Sequence, residues 1–121
     1  MATILLAEDD DSMREFLAKA LERAGHVVTA CADGEDGFHA LKAAAGSFDL
    51  LLTDIVMPGM DGIELARAAA ELDPSMKIMF ITGFAAVALN PESGAPADAK
   101  VLSKPFHLRD LVHEVDRVMA A

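Results

Sequence analysis

Residues 49–53, Asp-Leu-Leu-Leu-Thr, offer water no polar side chain from Leu50 through Leu52. An extended segment of this kind must be covered on both sides, which in a short chain means the middle of a parallel sheet flanked by helices. The rest of the sequence fits that demand. Thr3 to Ala7 (TILLA), His26 to Ala32, Lys77 to Thr82 (KIMFIT) and Val101 to Ser103 are the other strand candidates. Between them apolar residues recur at helical spacing. Met13, Phe16, Leu17, Ala20, Leu21 and Ala24 form the apolar stripe of a first helix that stops at Gly25, with Glu15 and Lys19 paired on the solvated side. Phe38 and Leu41 belong to a second helix ending near Gly46. Asp61 and Glu64 read as a capping box opening a helix that reaches about Leu72. Leu108, Leu111, Val112, Val115 and Met119 line the last helix. Between Phe84 and Ala99, Asn90-Pro91, Gly94 and Pro96 are hostile to a helix interior, so the fourth helix should be short or irregular. The expected fold is α/β: a single open five-stranded parallel sheet with helices on both faces. Neither a repeat nor a linker is visible, so residues 1–121 read as one domain with no output domain.

Composition narrows the function classes. With 53% hydrophobic residues the chain is far from the disordered class. No apolar run approaches the roughly 18 residues of a membrane span, and the N-terminus lacks the features of a signal peptide. A formal net charge of -10 repels phosphate backbones and argues against nucleic acid as a partner. The lone cysteine, Cys31, suits a reducing cytoplasm and reads as a small buried apolar side chain. His26, His39, His107 and His113 have no metal-ligand spacing and read as surface or capping residues. Met119-Ala120-Ala121 reads either as a fraying helix end or as a tail of the kind that bacterial ATP-dependent proteases recognise.

Chemistry in an open parallel sheet gathers beyond the carboxyl ends of its strands. Glu8, Asp9, Asp10 and Asp11 follow the first strand, Asp54 the third, while Thr82 ends the fourth and Lys104 follows the fifth. Four acids exceed what capping the first helix requires, although Asp10 or Asp11 suits that role. Converging carboxylates repel one another and call for a cation. Oxygen-only donors select a hard ion such as Mg²⁺, whose remaining positions commonly go to water and phosphate oxygens. With the hydroxyl of Thr82 and the ammonium of Lys104, the set suits a phosphoryl group, and Asp54 is the central carboxylate nucleophile.

Four segments then resemble a known family. Ile4-Leu5-Leu6-Ala7-Glu8-Asp9-Asp10, Leu52-Thr53-Asp54-Ile55-Val56-Met57-Pro58-Gly59-Met60-Asp61-Gly62, Ile81-Thr82-Gly83 and Ser103-Lys104-Pro105-Phe106 resemble the receiver domains of two-component response regulators, in order and spacing, over nearly the whole chain. The run Lys104-Pro105-Phe106-His107-Leu108-Arg109 is most similar to the stand-alone CpdR-type regulators of alphaproteobacteria. The resemblance implies the flavodoxin-like receiver fold, with Asp54 as phospho-acceptor and Asp9 as the direct Mg²⁺ ligand. It makes Glu8 a supporting ligand through water and Val56 a donor through its backbone carbonyl. Met13-Arg14 sets this register and leaves Asp10 and Asp11 outside the acid pair. Thr82 is then the hydroxyl that moves toward phosphate, Lys104 the cation that meets it, and Lys104-Pro105 a cis bond. The implied partners are a histidine kinase or histidine phosphotransferase and a downstream protein reader; in CpdR-type relatives that reader is the regulated-proteolysis machinery, an ATP-dependent protease complex.

Two departures stand out. Val101 occupies the position of the family's aromatic switch, and the fourth helix is interrupted by proline. The remaining readings fit less well. A phosphatase of the haloacid-dehalogenase type expects a second acid two residues after the nucleophile, where this chain has Val56. An FMN-binding flavodoxin needs a hydroxyl- and glycine-rich loop where this chain has four acids. A phosphorylation-silent adaptor is the other alternative.

Overall fold

The computed structural model describes residues 1–120; Ala121, half of the terminal Ala-Ala pair, lies outside the described residues. The chain alternates strand and helix throughout: β1 (Thr3–Ala7), α1 (Asp11–Arg23), β2 (Val27–Cys31), α2 (Gly34–Ala43), β3 (Leu50–Thr53), α3 (Gly62–Leu72), β4 (Lys77–Thr82), α4 (Ala85–Leu89), a 3₁₀ turn (Pro91–Ser93), β5 (Lys100–Ser103) and α5 (Leu108–Ala120). All strand pairs are parallel, in the order β2-β1-β3-β4-β5. The Leu-Leu-Leu strand occupies the centre of the sheet, and every residue of β3 is buried.

Alternation along the strands divides the core in two. Ile4, Leu6, Leu50, Leu52, Met79 and Ile81 pack against Leu17 and Leu21 of α1 and Leu111, Val115 and Val118 of α5. Leu5, Ala7, Leu51, Ile78 and Phe80 face the other way, against Leu41 of α2, Leu65, Ala66 and Ala69 of α3, and Ala88 of α4. The starts of α1, α2 and α3 have a local cause. The Asp10 side chain accepts from the Met13 N–H, Asp33 from the Asp36 N–H, and Asp61 forms a reciprocal box with Glu64. The short fourth helix is equally local: Asn90, held extended before Pro91, ends α4, and its side chain caps the 3₁₀ turn through the Glu92 N–H.

Several side chains depart from the sequence reading. Phe16 lies on the solvent side of α1, 57% exposed, because Leu17 and Leu21 fill the contact with the sheet and Met13 covers its edge. On α5 the fully inward residue of the last turn is Val118, while Met119 and Val112 are half-buried. His26 is buried instead of lying at the surface. Its Nδ1 accepts from the Ala2 N–H at 3.0 Å, so its Nε2 carries the proton of the neutral ring and faces Asp116 Oδ1 at 3.3 Å. The imidazole thus ties the entry of β1 to α5. The other three histidines, His39, His107 and His113, are exposed.

Replacing His26 with leucine keeps the volume but leaves the buried Ala2 N–H without a partner. We expect a loss of about 1–3 kcal/mol, read as a lower urea midpoint at unchanged slope. An unaltered midpoint would show that water satisfies the Ala2 amide.

Candidate functional site

Register decides which side chains meet. β1 and β3 align Ala7 with Thr53, so the residues that follow, Glu8 and Asp54, leave the sheet side by side. Backbone bonds hold both: the Asp54 N–H donates to the Ala7 carbonyl at 3.0 Å, and the Glu8 N–H to the Cys31 carbonyl at 3.1 Å. Glu8 is 1% exposed and Asp54 9%, whereas Asp9 faces solvent. The three carboxylates each present an oxygen within 4.8 Å of the others.

Lys104 enters from the opposite side. Its N–H donates to the Thr82 carbonyl at 2.8 Å, which fixes the start of the β5–α5 loop against β4, and the Lys104–Pro105 bond is cis. The Nζ donates to Glu8 Oε1 at 3.1 Å and to Asp54 Oδ2 at 3.0 Å. Burial alone pulls this ammonium down, but the hydrogen bonds to Asp54 and Glu8 outweigh it and leave it above its ordinary value. Burial likewise pushes the Glu8 carboxyl up, against the lowering effect of the Asp10 N–H and Lys104, and the charge on Asp54 adds to the rise. Three carboxylates face one ammonium, leaving two negative charges uncompensated at the sheet edge.

The oxygens divide by occupation. Asp54 Oδ1 accepts from the Ile55 N–H at 2.7 Å and Oδ2 from Lys104. Glu8 Oε2 accepts from the Asp10 N–H at 3.2 Å. Asp9 makes no hydrogen bond among the described residues, which leaves its carboxylate free for an incoming ligand. An all-carboxylate donor set fits a hard divalent cation and offers nothing to a thiophilic one.

Of the remaining sequence candidates, Thr82 is fully buried, but its hydroxyl is turned into its own loop, accepting from the Phe84 N–H at 2.8 Å. Val56 lies in the loop after β3, 58% exposed, and Phe84 is 55% exposed. Asp10 caps α1 and Asp11 stands in its first turn, so neither belongs to the cluster. Val101 is half-buried against the core on the α2–α3 side of the sheet, with no aromatic ring at its position.

Sequence reasoning missed two supports. The buried Thr53 hydroxyl donates to the Asp54 carbonyl at 2.8 Å. Gly62 packs directly on Asp54, its N–H bonded to the Ile55 carbonyl at 2.8 Å, and a Cβ there would overlap the Asp54 carbonyl oxygen. Asp61 was legible as a helix cap, but the backbone that the following Gly62 touches was not.

A parallel sheet in this order, carrying a carboxylate at the end of its central strand between an acid pair and a lysine, defines the class of phospho-accepting signalling domains. The chain belongs to the response regulator receiver domain family, whose model matches residues 4–116. It is 65% identical to the response regulator receiver protein CpdR of Brucella abortus (strain 2308), covering 100% of this chain and 99% of that protein. It is also 36% identical to part of the sensor kinase CckA of the same strain, over 98% of this chain and 12% of the kinase. Among solved structures, a response regulator receiver protein from Sinorhizobium medicae WSM419 superposes with a TM-score of 0.89 at 36% identity, covering 99% of this chain and 95% of that one.

Gly62→Ala should cost about 1–3 kcal/mol, because the added methyl must push back the Asp54 backbone. Gly83→Ala, where a Cβ meets open space, should stay within about 0.5 kcal/mol of wild type in the same urea titration. Equal effects at the two positions would mean that the α3–Asp54 contact is loose.

Proposed function

We propose that this chain is a phosphorylation-controlled interaction switch in which Asp54 takes a phosphoryl group from phosphohistidine on a histidine kinase or histidine phosphotransferase. The observation that carries this reading is the Asp54 carboxylate, held at the end of the fully buried β3 between Lys104 and the Glu8–Asp9 pair.

The chemistry follows from that placement. An Asp54 oxygen attacks phosphorus; the P–N bond to the donor imidazole breaks, and its electron pair leaves with the ring nitrogen. Lys104, already bonded to Asp54, neutralises charge on the phosphoryl oxygens. Held by Asp9, Asp54 and the Val56 carbonyl, with Glu8 behind them, Mg²⁺ would supply the positive charge that the acid cluster lacks. Thr82 would exchange its bond with the Phe84 N–H for one to a phosphoryl oxygen, and the surface beyond it would shift between two states that a partner reads. The chain catalyses only its own phosphorylation and dephosphorylation.

The partner classes follow from the relatives. A receiver segment also occurs within a sensor kinase, which supports a kinase-fed phosphorelay as the source. The full-length likeness to a protein named CpdR supports a single-domain regulator whose output is a protein contact, with an ATP-dependent protease complex as the reader. A formal net charge of -10 opposes nucleic acid as that reader. No helix among the described residues is long and apolar enough to cross a membrane. We place the protein in the cytoplasm, where its phosphodonor would be found.

Intact mass after incubation with acetyl phosphate and Mg²⁺ should show one added phosphoryl group on wild type and none on Asp54→Ala. Equal labelling of both would move the acceptor elsewhere, and no labelling of either would leave a phosphorylation-silent adaptor.

The lifetime of that phosphoryl group is set by its neighbours. Val56 and Phe84, exposed and apolar, offer no side chain to orient an attacking water. Val56→Asn should accelerate loss of phosphate by roughly tenfold or more, measured as decay of the phosphorylated mass. Unchanged or slower decay refutes the argument.

A further inference from the structure

We propose that Arg14 is a positioning residue for the cation site: its guanidinium holds the Glu8–Asp9 peptide unit and thereby aims Asp9. This rests on the reading of Glu8, Asp9 and Asp54 as the Mg²⁺ site.

Arg14 lies in the first turns of α1, yet its side chain turns back toward the strand end and is 22% exposed. Nη1 donates to the Glu8 carbonyl at 2.9 Å, and Nη2 donates to Asp11 Oδ1 at 2.6 Å. The Glu8 carbonyl and the Asp9 N–H belong to one planar peptide unit. Rotation of that plane changes the backbone angle leading into Asp9, and so the direction of its side chain. The segment's other anchors leave this rotation open. The Glu8 N–H is fixed to the Cys31 carbonyl on one side, and Asp10 is fixed on the other, as the helix cap and through its N–H to Glu8 Oε2. Asp9 itself makes no hydrogen bond among the described residues, so nothing but its flanks directs it. Arg14 supplies the one side-chain bond to the intervening plane. Its planar fork meets Glu8 through Nη1 and Asp11 through Nη2, a rigid two-nitrogen geometry that a lysine's single nitrogen does not reproduce.

Charge and position predict opposite outcomes, which makes the assignment testable. Removing a cation beside a metal site should by Coulomb's law tighten Mg²⁺ binding. Removing the support that orients a ligand should weaken it, commonly by about tenfold or more.

The test is calorimetric titration of MgCl₂ into wild type, Arg14→Met, Arg14→Lys and Asp9→Ala at constant ionic strength, with thermal melts to establish that each is folded. We expect Arg14→Met to bind Mg²⁺ about tenfold more weakly, Arg14→Lys to fall between it and wild type, and Asp9→Ala to lose binding. Arg14→Met binding as tightly as wild type, or more tightly, overturns the proposal. If that variant fails to fold, Arg14→Lys decides: wild-type affinity there also overturns it. A wild-type protein that takes up no Mg²⁺, or an Asp9→Ala protein that binds normally, instead refutes the metal-site reading on which the inference stands.

Discussion

Like charge concentrated at one edge of the sheet is the constraint around which the rest of this molecule is organised. Glu8, Asp9 and Asp54 converge because adjacent parallel strands, paired Ala7 to Thr53, end at the same level. Such a cluster destabilises the fold that creates it. Lys104 offsets one charge by bonding two of the acids at once, and the structure commits a cis peptide bond and a strand-to-loop hydrogen bond to the segment that delivers it. The residual imbalance is what suits the site to a cation on the function proposed above.

Support for this edge comes from the scaffold behind it. Thr53 and Gly62 touch the Asp54 backbone instead of its carboxylate and fix its position. Arg14 does the corresponding service for the acid loop. Rigid elements thus carry the geometry, and Asp9, the one acid of the cluster without a hydrogen bond among the described residues, carries the adaptability.

Periodicity made most of the architecture readable in advance. Leu50-Leu51-Leu52 required a central strand, and the remaining apolar runs then had few places to go. The acid cluster and Lys104 were legible because strand-end positions fall together in any open parallel sheet. The failures share one cause. Phe16, His26 and Arg14 have roles fixed by contacts with segments that sequence spacing does not reveal. An apolar residue at the margin of a helix stripe is buried only if a neighbour covers it, and Phe16 has none. A histidine can be interior if two partners distant in sequence, here Ala2 and Asp116, meet its two nitrogens. An arginine on a helix normally reads as solvated, and only the reversal of the chain at Glu8–Asp11 brings a carbonyl back to it.

The Thr82 hydroxyl has a further consequence. It serves as the hydrogen-bond acceptor for the residue that opens α4, a five-residue helix with no side-chain cap of its own. On the proposed function, movement of that hydroxyl toward a phosphoryl oxygen would draw it away from the Phe84 N–H, which would couple the site to the entrance of α4 with no aromatic side chain between them. A neutral hydrogen bond of this kind is worth about 0.5–1.5 kcal/mol net, so its loss alone would shift the two arrangements by about two- to twelvefold. Such a switch resembles a dimmer more than a latch. On that reading both arrangements would stay populated, and a reader protein would need only modest preference for one of them to complete the change.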